Sequence, residues 1–211
     1  MGGRGTSSGV GGSSRSFNHL SEANDFFSVG HSSGMFPDWE RDVSDAERKA
    51  AVYYTTEAYK EINKYLRGKN LDEAPDKVKE AVKNIDTAMQ KFNLTENITV
   101  FRGGSNKLVG GASTVEEIKA MIGAVVRDNG IMSTAVTRGG AWGSSGKNIG
   151  YEVEIPKGRG RGIFIDPISH YKGEQEFMVA RGTEYRITGA YTDTHGNVIC
   201  KLKAVYRKGK K

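Results

Sequence analysis

The chain has 211 residues and 36% of them are hydrophobic, which suits one compact domain with a core of moderate size. A single cysteine, Cys200, excludes an intramolecular disulfide, and four scattered histidines give no metal-ligand spacing, so we expect no metal. The net charge of +6 comes without a nucleic-acid-binding motif, and no apolar stretch fits a signal peptide or a membrane span. We therefore predict no specific nucleic-acid partner and no membrane partner.

The first segment, residues 1–34, is rich in glycine and serine and is predicted to be a flexible leader. A single domain is predicted over 35–206, followed by a basic tail at 207–211. Within the domain, residues 35–93 are expected to form a helical lobe and residues 98–206 a β core.

Two helices are predicted in the lobe. Ser44-Asp45-Ala46-Glu47 is a capping box, and helical spacing of apolar residues continues to about Arg67, where Gly68 supplies a stop. Pro75 suits the first position of a second helix, which should end near Asn93.

After the second helix, the residue pattern changes to short β segments separated by glycine-containing turns. Another capping box, Thr114-Val115-Glu116-Glu117, predicts a short helix to about Ile122. Strands are predicted at 98–102, 130–134, 150–155, 162–165, 176–180, 184–190 and 198–206. Helices first and strands second indicate an α+β fold with mainly antiparallel sheets rather than a parallel βαβ sheet.

Two glycine-rich segments resemble phosphate-binding motifs but do not match their patterns. Gly143-Ser144-Ser145-Gly146-Lys147 lacks the first glycine and the final Ser or Thr of a Walker A loop. The segment at 158–162 is not followed by a helix, which excludes a dinucleotide-binding turn.

Three polar features remain at strand ends: Arg102-Gly103, Ser133-Thr134 and Glu174-Gln175-Glu176. Residues two apart in an extended chain project to one side, so Glu174 and Glu176 should face the same cleft. Arg102 follows an apolar run and needs an anionic partner if it is buried. That partner is either an acidic side chain or a phosphate, which a guanidinium grips with two parallel hydrogen bonds.

In this order the three features resemble the signature of the R-S-E class of mono-ADP-ribosyltransferases. The chain is most similar to the enzymatic components of clostridial binary actin-modifying toxins and to related bacterial and phage effectors. The similarity covers about 98–190 and includes the strand and turn at 150–158 and a target-recognition loop at 164–176. It implies a helical lobe followed by two packed, mainly antiparallel sheets around a cleft for NAD, which serves as co-substrate without a metal.

The resemblance also implies roles. Glu176 matches the carboxylate that stabilises the oxocarbenium-like transition state when nicotinamide leaves ribose. Ser133 matches the serine that orients this glutamate, and Arg102 the arginine that binds the phosphate and ribose side of NAD. Gly103 lets the backbone approach the nicotinamide amide, and Thr134 joins the NAD-binding set.

Glu174 matches the first acid of the Glu-x-Glu motif, which in this class accompanies transfer to arginine, whereas glutamine there accompanies other acceptors. A carboxylate can orient a guanidinium and help to remove its proton. We therefore predict an arginine acceptor on a target protein, contacted by Tyr171, Glu174 and Gln175. Tyr171 is equally well interpreted as a half-buried loop aromatic.

The segment between Ser133 and Tyr151 resembles the phosphate–nicotinamide loop of this class. Trp142 is a candidate for stacking on nicotinamide, and Arg138 or Lys147 for contacts with the phosphates. One departure concerns the third motif position, where the class has serine and this chain has Ala135. The residues that support Glu176 are therefore expected to differ.

Two alternatives stay open. One is an NAD glycohydrolase with water as acceptor, and the other is a non-catalytic module of a phage or structural assembly. For the leading hypothesis we expect a monomer that acts in the host-cell cytoplasm as a phage- or bacterium-encoded effector. The sequence does not identify the target protein.

Overall fold

A computed structural model of the protein describes residues 13–68, 70–141 and 149–206. The α-helices of the described residues are α1 (Leu20–Phe27), α2 (Met35–Asp42), α3 (Asp45–Tyr53), α4 (Tyr59–Gly68), α5 (Asp76–Lys91), α6 (Val115–Lys119) and α7 (Arg138–Ala141). The strands are β1 (Asn93–Leu94), β2 (Ile98–Gly104), β3 (Val125–Asp128), β4 (Met132–Ala135), β5 (Ile149–Ile155), β6 (Gly158–Arg159), β7 (Gly162–Phe164), β8 (Glu176–Val179), β9 (Thr183–Thr192) and β10 (Val198–Val205). The predicted α+β class is confirmed.

The first predicted helix begins as expected but does not run unbroken to Arg67. Ser44 and Glu47 form the capping box, and α3 follows. A five-residue π-helical segment, Tyr54–Ala58, then separates α3 from α4. Within it, the hydroxyl of Thr55 donates to the carbonyl of Val52 over 2.7 Å, and Thr56 has non-helical backbone angles. Side-chain hydroxyls that compete for backbone carbonyls weaken a regular helix, which accounts for the break.

The second predicted helix is confirmed as α5, with Pro75 as the residue that precedes it. Its apolar face is buried, and the indole of Trp39 in α2 donates to the carbonyl of Ala88 over 2.9 Å. The segment around Trp39 therefore docks on the domain through α5.

The predicted leader is too long. From residue 13 onward the chain packs on the domain: Arg15 exchanges backbone hydrogen bonds with Asn97 and Thr99, each 2.8 Å long. Phe17 and Phe27 are buried, and Phe27 stacks on Phe164 of β7 with 4.3 Å between ring centroids. Few apolar residues mark this segment, but its buried phenylalanines anchor it to the core. Residues 1–12 lie outside the described part of the chain.

The sheet explains where a cleft can form. Eight strands are hydrogen-bonded in the order β3-β9-β10-β5-β2-β4-β8-β7, and only the β5–β10 pair among them is parallel. Strands β2 and β4 share a single residue pair, Phe101 with Ala135. The sheet therefore divides there into a five-strand half and a three-strand half, which correspond to the two predicted sheets.

Most predicted strands agree with the structure to within two residues. The edge strand β3 was missed because its Val125-Val126-Arg127-Asp128 segment is half polar and has exposed side chains. The capping box at Thr114 is present, but α6 ends at Lys119 rather than near Ile122.

In the described residues, no helix has the length and apolarity needed to cross a membrane, and no group of three metal-ligating side chains is found.

The burial of Phe27 yields a first prediction. Phe27→Ala should lower the free energy of unfolding by about 3–5 kcal/mol, since it empties a space shared with Phe164. Urea unfolding of the full chain measures this loss. His31→Ala, an exposed change in the same segment, should cost less than about 0.5 kcal/mol. Equal stability of the two variants would mean that the segment does not contribute to the core.

Candidate active site

A cleft of about 770 Å³ opens where β2 and β4 separate. This volume falls within the roughly 300–1,000 Å³ typical of ligand sites. It is lined from the β core, the helical lobe and the loop before β8 by Tyr54, Thr55, Glu57, Tyr59, Asn63, Arg67, Phe101, Arg102, Gly103, Ser133, Thr134, Ala135, Gly139, Gly140, Ala141, Tyr171, Gly173, Glu174, Gln175 and Glu176. The predicted Arg102, Ser133 and Glu176 thus lie in one cleft.

Arg102 links the two halves of the sheet. It lies on β2, and its Nη1 donates to the main-chain carbonyl of Ser133 on β4 over 2.7 Å. Of the two partners considered for Arg102, an acidic side chain and a phosphate, the structure shows no acidic one within the described residues, where its hydrogen bond goes to this carbonyl. A guanidinium has five N–H donors, and this bond uses one.

Glu176 is a buried carboxyl group, 7% exposed, at the first position of β8. Burial raises its pKa to about 7, because the charged form loses hydration. A hydrogen bond from the Ser133 side chain opposes this rise in pKa. The negative charges of Glu174 and Asp166 add to it, and the positive charge of Arg102 again opposes it. A buried carboxyl group poised near neutral pH is typical of functional sites.

The helical lobe holds β4 through one carbonyl group. Three donors converge on the carbonyl of Ile131, immediately before β4: the hydroxyl of Tyr54 at 2.9 Å, Nδ2 of Asn63 at 3.1 Å and Nη2 of Arg67 at 3.0 Å. Oδ1 of Asn63 also accepts from the backbone N–H of Ile131 over 2.9 Å. Burial raises the pKa of Tyr54 to about 12, so its hydroxyl remains a neutral donor. The position of Ser133 is thereby coupled to the lobe.

The loop before β8 is held by Asp166, which is buried. Its Oδ1 accepts from the backbone N–H groups of Gly173 and Gln175, at 3.0 and 2.6 Å. Gln175 has a positive φ of 61°, so the chain is not extended there. Glu174 and Glu176 do line one cleft, but the reason is this bend, not the alternation of side chains along a strand.

Gln175 lines the cleft and is half-buried, and it is hydrogen-bonded within the protein. Its side-chain Oε1 accepts a hydrogen bond from the hydroxyl of Thr137, and its main-chain carbonyl accepts from the N–H of Val136 over 2.9 Å. The Oε1 atom is thus engaged by Thr137, and the contact of Gln175 with a target protein stays a prediction. Glu174 and Tyr171, by contrast, are exposed at the cleft, and Tyr171 packs edge-on against His170.

The other predicted NAD-binding residues are placed differently. Thr134 lines the cleft, but its hydroxyl donates to the carbonyl of Phe177 over 2.6 Å and so joins β4 to β8. Arg138 does not line the cleft. Its Nη2 contacts Glu152 at 2.9 Å and the hydroxyl of Tyr191 at 2.8 Å. Trp142 and Lys147 lie outside the described residues.

Ala135, the departure from the class motif, has a packing role. It pairs with Phe101 on one side and with Glu176 on the other, and it forms a small apolar cluster with Phe101 and Ala141. The absent hydroxyl thus leaves a buried apolar contact beside Glu176, which adds to the desolvation of the carboxyl group.

The sequence interpretation missed the residues that support the site. Tyr54, Asn63 and Arg67 were assigned only to the body of a helix. Asn63 and Arg67, four residues apart, share one helix face, but Tyr54 lies nine residues earlier and would be on the opposite face of a regular helix, so the break at Tyr54–Ala58 hides this group from sequence patterns. Asp166 had a weaker signal, an Asp-Pro pair ahead of a glycine-containing loop.

The burial of Glu176 predicts a pH-dependent effect on stability. The pKa of Glu176 is higher in the folded protein than in the unfolded chain. Its contribution to the free energy of unfolding is therefore fully present below about pH 4.5 and is lost as the pH rises to about 7. Glu176→Gln removes the ionisation. It should increase the free energy of unfolding by about 1–3 kcal/mol at pH 8, with little effect near pH 4. Urea unfolding at both values measures the difference. Glu80→Gln, an exposed change on α5, serves as control, and a pH-independent difference for Glu176→Gln would contradict this account.

Comparison with known proteins places this cleft in a family. A family model described as ADP-ribosyltransferase exoenzyme matches residues 32–207. A mono-ADP-ribosyltransferase C3 of Hathewaya limosa is 28% identical over 163 residues, covering 69% of this chain and 64% of the relative. An NAD(+)–arginine ADP-ribosyltransferase EFV of Enterococcus faecalis is 27% identical over 169 residues, covering 77% of this chain and 33% of the relative. This chain thus spans just under two thirds of the first relative and about one third of the second.

Solved structures agree in fold. The toxin Plx2a from Paenibacillus larvae, described as an ADP-ribosyltransferase, superposes with a TM-score of 0.76 at 23% identity, covering 89% of this chain and 96% of the other. The structure of C3stau2 from S. aureus with NAD has a TM-score of 0.74 at 18% identity, covering 92% and 99%. Because the family model matches most of the chain, the protein belongs to the ADP-ribosyltransferase exoenzyme family.

Proposed function

We propose that the protein is a mono-ADP-ribosyltransferase that transfers ADP-ribose from NAD to an arginine side chain of a target protein. The observation that carries the proposal is the buried Glu176, which shares one cleft with Ser133, Arg102 and the exposed Glu174. Two findings support it: the family membership, and relatives named as mono-ADP-ribosyltransferases, one of them arginine-specific by name.

The chemistry follows from the charges in the cleft. The bond between the nicotinamide nitrogen and the ribose anomeric carbon breaks, and its electron pair leaves with nicotinamide. Positive charge develops on the ribose, and the ionised Glu176, in a site of low hydration, stabilises it. The Ser133 hydroxyl keeps the carboxylate oriented, while Arg102 supplies further N–H donors for a phosphate or ribose oxygen.

The acceptor step is assigned to Glu174. An arginine nitrogen of the target attacks the anomeric carbon, the new C–N bond forms, and the guanidinium loses one proton. Glu174 is exposed at the rim of the cleft, where a side chain of another protein can reach it, and its carboxylate can orient the guanidinium and accept that proton. The exposed Tyr171 is proposed to contact the same target.

A second candidate, NAD hydrolysis with water as acceptor, is favoured by the same exposure of Glu174. Water has access to the rim of the cleft when no target protein covers it. We propose hydrolysis as the activity without a target protein. A purely non-catalytic module would show neither transfer nor hydrolysis.

Two variants separate transfer from hydrolysis. Glu176→Gln should reduce both activities by about 10²-fold or more, because the transition-state charge loses its counter-charge. Glu174→Gln should reduce transfer to an arginine acceptor by about 10²-fold while hydrolysis changes less than about threefold. Labelled NAD with agmatine or polyarginine measures transfer, and nicotinamide release without acceptor measures hydrolysis.

Glu80→Gln, on the exposed face of α5, should match the parent protein in both assays. Equal activities of all four proteins would overturn the mechanism. Activity that needs Glu176 but not Glu174 would retain NAD cleavage and overturn the arginine assignment.

The pKa of Glu176 predicts the pH profile of NAD cleavage. Only the ionised carboxylate stabilises the transition state, so kcat/KM should fall about tenfold per pH unit below pH 7 and level off above it. Initial rates of nicotinamide release from about pH 5 to about pH 9 test this. A flat profile across neutral pH would show that the ionisation of Glu176 does not limit the reaction.

A further inference from the structure

A second cavity, of about 780 Å³, lies at the other end of β8 from Glu176. Its walls come from α5, the edge strand β3, strand β6 with the turn before β7, the turn after β8 with the start of β9, and the end of β10. The lining residues are Asp86, Met89, Gln90, Arg127, Arg159, Gly160, Arg161, Ala180, Arg181, Gly182, Thr183, Glu184, Val205 and Tyr206. None of them lines the cleft described above.

The charge of this cavity is strongly positive. Four arginines from three separate chain segments, Arg127, Arg159 with Arg161, and Arg181, meet two carboxylates, Asp86 and Glu184. Arg181 pairs with Asp86, with Nε and Nη2 at 2.9 and 2.8 Å from one carboxylate oxygen. The guanidinium groups still outnumber the carboxylates, so the lining side chains leave excess positive charge.

Two of the guanidinium groups are held in place without a carboxylate. The guanidinium carbon of Arg161 lies 3.6 Å from the ring centre of Tyr206, and its Nε is buried with no hydrogen-bond partner in the described part of the chain. Arg159 donates from Nη1 to the main-chain carbonyl of Lys91 over 3.2 Å. A partly buried cation without a matching anion is costly, and a bound anion would relieve that cost.

We propose that this cavity binds a small, multiply phosphorylated ligand at a site independent of the NAD cleft. Planar guanidinium forks match phosphate oxygens two by two, and several of them around one cavity favour several phosphate groups over a single one. The cavity is larger than a single inorganic ion would fill, and its volume suits a sugar or nucleoside polyphosphate. The same chemistry is offered by a soluble polyphosphate and by a phosphorylated lipid headgroup.

Calorimetric titration of the full chain with sodium tripolyphosphate tests the site. Arg159→Gln, an exposed change that should not disturb folding, is expected to raise Kd at least fivefold, and Arg161→Gln at least tenfold. Arg186→Gln, an exposed arginine on β9 outside the cavity, is the matched control and should leave Kd unchanged. All variants keep residues 207–211, so any binding by these basic residues is the same in each.

Equal Kd values for the parent and all three variants would overturn the proposal, as would no measurable binding. Binding that is lost in Arg102→Gln but kept in Arg159→Gln would also overturn it, since the ligand would then occupy the NAD cleft. The binding measurements are independent of the transferase assays, which test the roles of Glu174 and Glu176. Failure of one proposal therefore leaves the other standing.

Two further arms identify the source of the phosphates. Phosphatidylcholine vesicles with and without phosphatidylinositol bisphosphate are sedimented with the parent protein and with Arg159→Gln. Cosedimentation that requires both the bisphosphate lipid and Arg159 assigns the cavity to a headgroup. Tripolyphosphate binding without cosedimentation assigns it to a soluble ligand.

Discussion

Strands β2 and β4 share one backbone pair, Phe101 with Ala135, and the cleft exists because the two strands separate beyond it. Arg102 bridges the gap by donating to the carbonyl of Ser133, which keeps the separated strands at a fixed distance. Glu176 enters from the next strand, β8, beside Ala135. A sheet continuous at this point would fill the space with paired backbone and leave no room for a ligand.

The cleft is also braced from outside the sheet. The helical lobe places three donors on the carbonyl of Ile131, and Asp166 fixes the bend that carries Glu174. These contacts satisfy buried polar groups, and in doing so they hold Glu176 where its ionised form is poorly hydrated. The buried carboxyl group lowers the free energy of unfolding at neutral pH, and the hydrogen bonds around the cleft offset this loss.

Local signals in the sequence predicted much of the fold. The capping boxes at Ser44 and Thr114 fixed two helix starts, and glycine-bounded apolar runs predicted most strands, because these signals act within a few residues. The π-helical break at Tyr54–Ala58 and the packing of Phe27 were missed. The packing of Phe27 depends on Phe164, which is distant in the chain, and the break combines the local bond from Thr55 to Val52 with a distant one, since Thr55 also accepts from the N–H of His170.

For the candidate site, the sequence by itself determined which residue types were present and their order: Arg102, Ser133, Glu174 and Glu176. Only the tertiary structure shows that they share one cleft and that they differ in burial and in hydrogen-bond partners. Gln175 has a positive φ and bonds to Thr137 through its side chain, and it is half-buried while the neighbouring Glu174 stays exposed. Arg138 was expected at the cofactor and instead pairs with Glu152. Spacing fixes the separation of side chains along the chain, whereas burial and hydrogen-bond partners, which set pKa and access, come only from the packing of distant segments.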